Sequence, residues 1–276
     1  MTMTRILARA ALLAATLLTG SLAALPAQAA SCGNSASGFD AWLEDFKAQA
    51  QRAGISRSTI NSALGNVSYD RKVISLDRNQ HSFKLSLDDF MARRAPPSYI
   101  RKGQQVIQQN GRLLDSIERR YGVQKEILVA IWGMETGFGG NSGNMNVFKS
   151  LATLSYDCRR SDFFTEELMA ALQIVDRGDM QASQMRGAWA GEIGQTQFLA
   201  KNYVRFAVDG DGDGRRDLIR SRADVLASTA NFLAQKGWRP GAGYNPGQPN
   251  FSVLQEWNRA TVYQQALALF ASKMAN

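Results

Sequence analysis

Apolar residues recur along this chain at the three- and four-residue spacing of helices and almost nowhere at the alternation of strands. From Phe39 to Leu64, Trp42, Phe46 and Ala50 fall on one helical stripe, Gly54 breaks it, and a second amphipathic stretch opens at Ser56, a residue type suited to capping a helix start. A third helix is expected around residues 82 to 92, after which Pro96 and Pro97 interrupt the periodicity. Val106, Ile107, Leu113, Leu114 and Ile117 predict one long helix from Gly103 through Arg120, stopped at Tyr121-Gly122. Further helices are expected over Gln124 to Glu135, over 163–178 and over 223–238, and the tail reads as helix, short break, helix. There is no internal repeat, and the one glycine-rich tract is GWRPGAGYNPGQPN. The predicted fold class is mainly α, with a helical region from residues 33 to 100 on which residues 241–276 pack, and a core from 101 to 240.

Composition narrows the class. With 276 residues, 45% of them hydrophobic, the chain can bury a sizeable core, which excludes disorder on the scale of the whole protein. Residues 1–29 carry Arg5 and Arg9, then an apolar and small stretch, then the A-x-A triplet Ala27-Gln28-Ala29, the pattern of a secretory signal peptide cut after Ala29. A retained transmembrane span fits less well, because the apolar run from Ala10 to Leu25 is short, contains Gly20 and meets Pro26. A lipoprotein signal ending at Cys32 is disfavoured by Ala29-Ala30-Ser31, which lacks the leucine of such signals. Export to the periplasm makes a disulfide permissible; Cys32 and Cys158 are expected to pair and tie the mature amino terminus to the main domain, with two free buried thiols as the alternative. The formal net charge of +8 includes the two leader arginines, and the basic balance suits an anionic extracytoplasmic partner such as cell-wall polymer or a membrane surface. No lysine run alternates with aromatics, so nucleic acid is not expected.

The candidate chemistry begins at WGMETGFGGNSG, residues 132–143. Leu128, Ile131 and Glu135 share one helical stripe, so the carboxylate lies on the apolar face at the last turn. Desolvation there disfavours its charge, and the negative end of the helix dipole acts the same way. Both would keep a proton on Glu135 near neutral pH, as a general acid requires. Gly137, Gly139 and Gly140 would turn the backbone away with positive φ and leave space beside the acid. The bland alternative is a glutamate that merely ends an exposed helix. A second stretch, RGAWAGEIGQTQFLAKNY (186–203), sets glycines and the amides Gln195 and Gln197 among aromatics, a composition that lines sugar sites and also suits a tight packing turn.

The motifs METGFGGNSGNMNVFKSLATLSYDCRRSDFF, GAWAGEIGQTQF, an aspartate loop and ANFLAQKGW, in this order and spacing, closely resemble the lytic murein transglycosylase B family, glycoside hydrolase family 103. The resemblance runs from about Phe39 to the WNRATVY segment. It implies a lysozyme-like catalytic core and cleavage of the MurNAc-β-1,4-GlcNAc bond of peptidoglycan without water, leaving a 1,6-anhydro end. It implies Glu135 as the sole acid/base, Gln197 as a substrate-contacting amide, and Asn258 and Tyr263 at the catalytic subsite; Gln195 and Glu192, read from the 186–203 stretch itself, are further candidate substrate contacts. Peptidoglycan strands are the implied partner, and cell-wall synthesis proteins are candidate partners. The family often has serine at the position of Ala188, tyrosine at that of Phe232 and a small residue at that of Glu192. Glu192 would either supply a polar contact to Glu135 or act as a second carboxylate, which would favour a hydrolytic muramidase; a catalytically silent wall-binding protein is the other alternative.

DGDGDGRRDLIR, residues 209–220, has the spacing of an EF-hand calcium loop: Asp209, Asp211, Asp213 and Asp217 at positions 1, 3, 5 and 9, Gly214 at the turn, and Arg215 at position 7, where a backbone carbonyl serves. Position 12, normally a bidentate glutamate, is Arg220, so Asp217 or Asp224 would have to compensate. A structural Ca2+ is expected here, in line with the calcium loop of the resembled family, and a solvated acidic turn is the alternative. The lone histidine, His81, is read as a surface or packing residue, and Arg159 and Arg160 either contact wall carboxylates or form a solvated basic turn.

Overall fold

The structure, a computed structural model, describes residues 31–79 and 85–275. The leader pattern of residues 1–29 and His81 lie outside the described residues. Thirteen α-helices and one two-stranded sheet make up the described chain, in agreement with the mainly α expectation. The amino-terminal helices are α1 (Phe39–Arg52), α2 (Arg57–Leu64), α3 (Arg71–Arg78) and α4 (Leu87–Arg94). Ser56, Asp70 and Ser86 cap α2, α3 and α4 by accepting from first-turn amides, which satisfies donors that a helix start otherwise leaves unpaired.

The single helix expected over 103–120 is two, α5 (Pro97–Gln109) and α6 (Gly111–Tyr121). They meet at Asn110, where the backbone leaves helical geometry and the side-chain amide donates to the Val106 carbonyl at 2.8 Å. The Val106 carbonyl also accepts from the Asn110 backbone amide at 3.0 Å, so the side chain adds a second bond that closes the last turn of α5. Pro97 is the first residue of α5, where its missing N–H is not needed.

The next helix, α7 (Lys125–Thr136), runs through the centre of the molecule and is buried continuously from Ile127 to Met134. It packs against α5 and α6 and against two later helices, α11 (Arg222–Gln235) and α13 (Thr261–Ala275). A second layer pairs α8 (Val147–Tyr156) with α9 (Ser161–Asp176), on which α10 (Ala200–Phe206) also lies. Helices α1 and α2 rest on this layer, and α4 packs on α13. Helices α3, α8 and α10 are absent from the periodicity. In α8 only Lys149 escapes burial, so no polar face betrays it.

Cys32 and Cys158 form a disulfide, with Cα atoms 5.0 Å apart across a sequence separation of 126 residues. The Gly33 amide donates to the Tyr156 carbonyl at 2.8 Å and extends the tie. Beside it, Arg159 and Arg160 stand in an exposed turn, as the solvated-turn alternative has it, yet their guanidinium groups reach a buried partner. Together with Arg78 they bond the buried carboxylate of Asp77, joining α3 to the start of α9. Burial opposes the charge of Asp77, yet the arginine hydrogen bonds hold its carboxyl below the usual range. Joint replacement of Cys32 and Cys158 by serine is expected to lower unfolding free energy by about 2–4 kcal/mol in denaturant melts, with helix content unchanged by circular dichroism; an unchanged midpoint would mean that the disulfide adds nothing to the contacts, the Gly33–Tyr156 bond among them, that already hold the segment.

Candidate active site

Glu135 is the penultimate residue of α7, and Gly137 ends the helix in the left-handed conformation with φ 63°. Phe138 follows, also left-handed, with φ 65°, and then Gly139 at φ 80°. Positive φ was expected at Gly137, Gly139 and Gly140; Phe138 holds that conformation in place of Gly140. The glycines serve close packing more than open space. A Cβ on Gly133 would meet the Phe138 ring at 2.8 Å, and one on Gly139 would meet Oε1 of Gln195 at 2.3 Å. The chain after α7 can therefore fold tightly onto the helix and onto segment 186–198.

That segment starts in a short antiparallel pairing of β1 (Met145–Asn146) with β2 (Arg186–Gly187) and doubles back through bridges from Ile193 to Gly187 and Phe198. Gly187 is required there, since a Cβ would strike the Glu192 carbonyl at 1.8 Å. The fold-back places Glu192, Gln197, Phe198 and Leu199 on one wall of a cavity of about 250 Å3, with Glu135, Asn202, Phe232, Trp257 and Asn258 completing it.

Two donors from the carboxyl-terminal segment reach Glu135. The Tyr263 hydroxyl donates to Oε1 at 2.6 Å, and Nε1 of Trp257 donates to the same oxygen at 3.2 Å. Tyr263 is buried in α13, its ring edge-on to Phe90 of α4. Trp257 is the last residue of α12 (Phe251–Trp257), and its ring is clasped edge-on between Phe198 and Phe232. Phe232 therefore contributes an apolar edge that fixes Trp257, while the donors to the acid come from Trp257 and Tyr263.

Burial pushes the Glu135 carboxyl above its usual range, while the bonds from Tyr263 and Trp257 and the more distant charge of Arg94 pull the other way without reversing it. With two donors on Oε1, a proton on this carboxyl belongs on Oε2. Glu192 is raised as well, by burial first and by the neighbouring Glu135 charge; the amides of Glu192 itself and Ala190, and Arg160, oppose the shift. Its Oε2 is buried with no hydrogen-bond partner.

Of the residues singled out from the sequence, Glu135, Glu192, Gln197 and Asn258 line the cavity and Tyr263 bonds the acid. Gln197, held at φ 55°, donates from Nε2 to the carbonyls of Gly194 and Ser142. Gln195 does not join them. Its Oε1 accepts from Trp132 and its Nε2 donates to the Ile219 carbonyl, so its amide fixes the backbone behind the cleft. Trp257 and Asn202 join the site without a sequence signal of their own, Trp257 because its bond to Glu135 spans 122 residues.

In the aspartate loop, Asp209, Asp211 and Asp213 bring carboxylate oxygens within 4.8 Å of one another. Asp209 accepts from the amides of Gly214 and Gly212, and the Gly214 bond chiefly holds its carboxyl below the ordinary range. Asp217 stands apart from this group, bonded to Arg220 by a 2.7 Å contact and to the amides of Ile219 and Arg220. Asp224 does not reach in as a ligand either, for its oxygens accept from the amides of Gly210 and Asp217.

Comparison with known proteins identifies the family. Residues 38–246 match the family described as transglycosylase SLT domain. The chain belongs to the transglycosylase SLT family. SltB3 from Pseudomonas aeruginosa, solved in complex with NAG-anhNAM-pentapeptide, superposes with a TM-score of 0.81 at 32% identity, over 86% of this chain and 80% of that one. The Escherichia coli lytic transglycosylase Slt35, solved in complex with calcium, shares the fold with a TM-score of 0.74 at 22% identity, over 90% and 96% of the two chains. The membrane-bound lytic murein transglycosylase B of Escherichia coli strain K12 is 36% identical over 138 residues, 47% of this chain and 38% of that protein's length. Among the described residues of this family member, no helix is long and apolar enough to cross a membrane.

A raised carboxyl also marks the stability of the fold. Folding takes up a proton wherever pH lies between the unfolded and the raised native value, so stability falls as pH climbs through that window. Glutamine can still accept at Oε1 and never ionises. Glu135→Gln is expected to melt at a higher temperature than the native chain at about pH 8, with the gap closing toward about pH 4, below the ordinary glutamate range. Equal melting at the higher pH would put this carboxyl in an aqueous environment.

Proposed function

We propose that this chain is a peptidoglycan lytic transglycosylase that cleaves the MurNAc-β-1,4-GlcNAc bond without water, with Glu135 as acid and then base. The observation that carries the reading is the half-buried carboxyl of Glu135, with two fixed donors on one oxygen, in a cavity otherwise lined by amides, aromatic rings and Glu192. In the first step the Oε2 proton goes to the glycosidic oxygen as the C1–O bond breaks, and the sugar's 2-acetamido oxygen supports the oxocarbenium-like centre. The leaving strand departs with that proton. Charge then develops on Glu135, where Tyr263 and Trp257 stabilise it. The carboxylate next takes the proton of the 6-hydroxyl, whose oxygen attacks C1 and closes the 1,6-anhydro ring. Glu135 returns protonated, and one residue serves both steps because the substrate brings its own nucleophiles. Two-carboxylate hydrolysis would need a second ionised group.

Gln197, Asn202 and Asn258 would bond sugar hydroxyl and acetamido groups, and the leader pattern of residues 1–29 would carry the chain to the periplasm, where this polymer lies. A hydrolytic reading draws support from one observation, Glu192 on the same cavity wall. Mass analysis of muropeptides released from sacculi separates the two, since the anhydro product lacks one water and has no reducing end. Anhydro ends are expected from the native chain, and Glu135→Gln should release them about 10²–10⁴-fold more slowly. Hydrolysed ends would replace the lyase reading by the muramidase, and equal release by the variant, or none by the native chain, would remove the enzymatic reading.

The aspartate loop fits a calcium ion in part. Asp209, Asp211 and Asp213, with the Arg215 carbonyl, are hard oxygen donors, but they number fewer than the six to eight that calcium takes, and Asp217 is engaged by Arg220. The site is accordingly read as weak and structural. Arg220→Glu supplies a carboxylate at position 12 and frees Asp217; calorimetric titration should show calcium affinity raised by about tenfold or more. Unchanged affinity would mean that the loop does not hold the ion through these positions.

A further inference from the structure

Glu192 is a buried titratable group for which the steps above have no use. It lies in the fold-back between Gly187 and Phe198, on the cavity wall that also carries Gln197, with Glu135 in the same cavity. One of its oxygens has the amides of Ala190 and Glu192 for company, whereas Oε2 is sealed from solvent and bonded to nothing in the protein. An ionised carboxylate with a bare, buried oxygen beside a second carboxyl would leave both charge and lone pairs uncompensated. A neutral acid fits that position instead: the oxygen near the amides accepts, and the other carries the proton. Its O–H is then a donor with no acceptor in the protein, in a residue that lines the cavity, and a rotation of the carboxyl group would present it to a bound ligand. Such a group favours any ligand that brings an oxygen to it.

We propose that Glu192 works as a neutral carboxylic acid that donates a hydrogen bond to an acceptor oxygen of the bound amino sugar, an acetamido carbonyl or a hydroxyl, and so acts as a specificity-determining contact and not as a second base. This rests on the transglycosylase reading. The groups that bear on its charge are Glu135 from α7, which opposes ionisation, and Arg160 from the start of α9, which favours it; Tyr263, Trp257 and Arg94 act on Glu135 itself. Burial of the carboxyl and the nearby negative charge keep the proton on Glu192 when Glu135 loses its own. The second anion that a hydrolytic base would require is thereby avoided.

The test compares native chain, Glu192→Gln and Glu192→Ala on sacculi or purified glycan strands, with kcat, KM, product mass and pH dependence measured for each. Glutamine keeps the shape, the neutrality and an N–H donor. Glu192→Gln should stay within about threefold of native, release the same anhydro ends, and lose activity with rising pH at the same point as the native chain. Glu192→Ala should raise KM by about tenfold, the effect of one lost hydrogen bond, with a smaller change in kcat. If Glu192 carries a negative charge, removing it with glutamine lowers the value of Glu135, and the alkaline fall in activity moves to lower pH. That shift overturns the proposal, as does a glutamine variant no better than alanine, or an alanine variant indistinguishable from native. Should the native chain release nothing, or release as much as Glu135→Gln does, the transglycosylase reading itself falls, a result distinct from any pattern among the Glu192 variants.

Discussion

A carboxyl held out of water at the carbonyl end of a buried helix is the constraint around which this molecule is arranged. Helix α7 has no solvent face over most of its length, so the side chain at its last turn has to be accommodated by other elements. Two opposing influences meet on it. Burial and the helix end disfavour charge, while the hydroxyl of Tyr263 and the indole of Trp257 favour it. Burial prevails in the resting protein, and the two donors are already aimed at the charge that proton transfer would create. Because they are fixed in advance, little reorganisation is needed when that charge develops.

Fixing those donors takes most of the carboxyl-terminal third. Tyr263 is placed by α13 packing on α7 and by Phe90 of α4 at its ring edge. Trp257 is clasped by Phe198 from the fold-back and Phe232 from α11. The fold-back is in turn pinned to the α7 terminus through Gln195, which accepts from Trp132, donates to Ile219, and whose backbone carbonyl accepts from the hydroxyl of Thr136 at 2.6 Å. Residues far apart in sequence thus form one rigid cup, with the disulfide and the Asp77 arginine cluster securing the amino-terminal helices to the α8–α9 layer.

Much of this was legible in the residues themselves. Helix periodicity gave the long amphipathic elements, and the conflict between Glu135 and its apolar neighbours pointed to the acid. What escaped has physical causes. Helix α8 is buried on nearly every side and so lacks a two-faced pattern. The break at Asn110 depends on one side-chain bond to Val106 that periodicity does not register. Gln195 and Gln197 look alike in GQTQF and both donate to backbone carbonyls, yet the amide of the first is closed off by Trp132 and Ile219 behind the cleft while the second lines the cavity. Trp257 as a donor to Glu135, 122 residues away in sequence, is a tertiary fact. Arg159 and Arg160 are a solvent-exposed basic pair whose bonds to the buried Asp77, some 80 residues upstream, are tertiary and leave no mark in the local sequence.

The protonation state of Glu135 is the central claim, and a carbon-13 titration of its side-chain carboxyl in the native chain, assigned by the loss of the resonance in Glu135→Gln, reads it directly. The inflection should lie clearly above the ordinary glutamate value of about 4.3, with the carboxyl still protonated where exposed glutamates have ionised. An inflection at or below that value would show an ionised group at rest, unable to begin by giving up a proton, and would contradict the account.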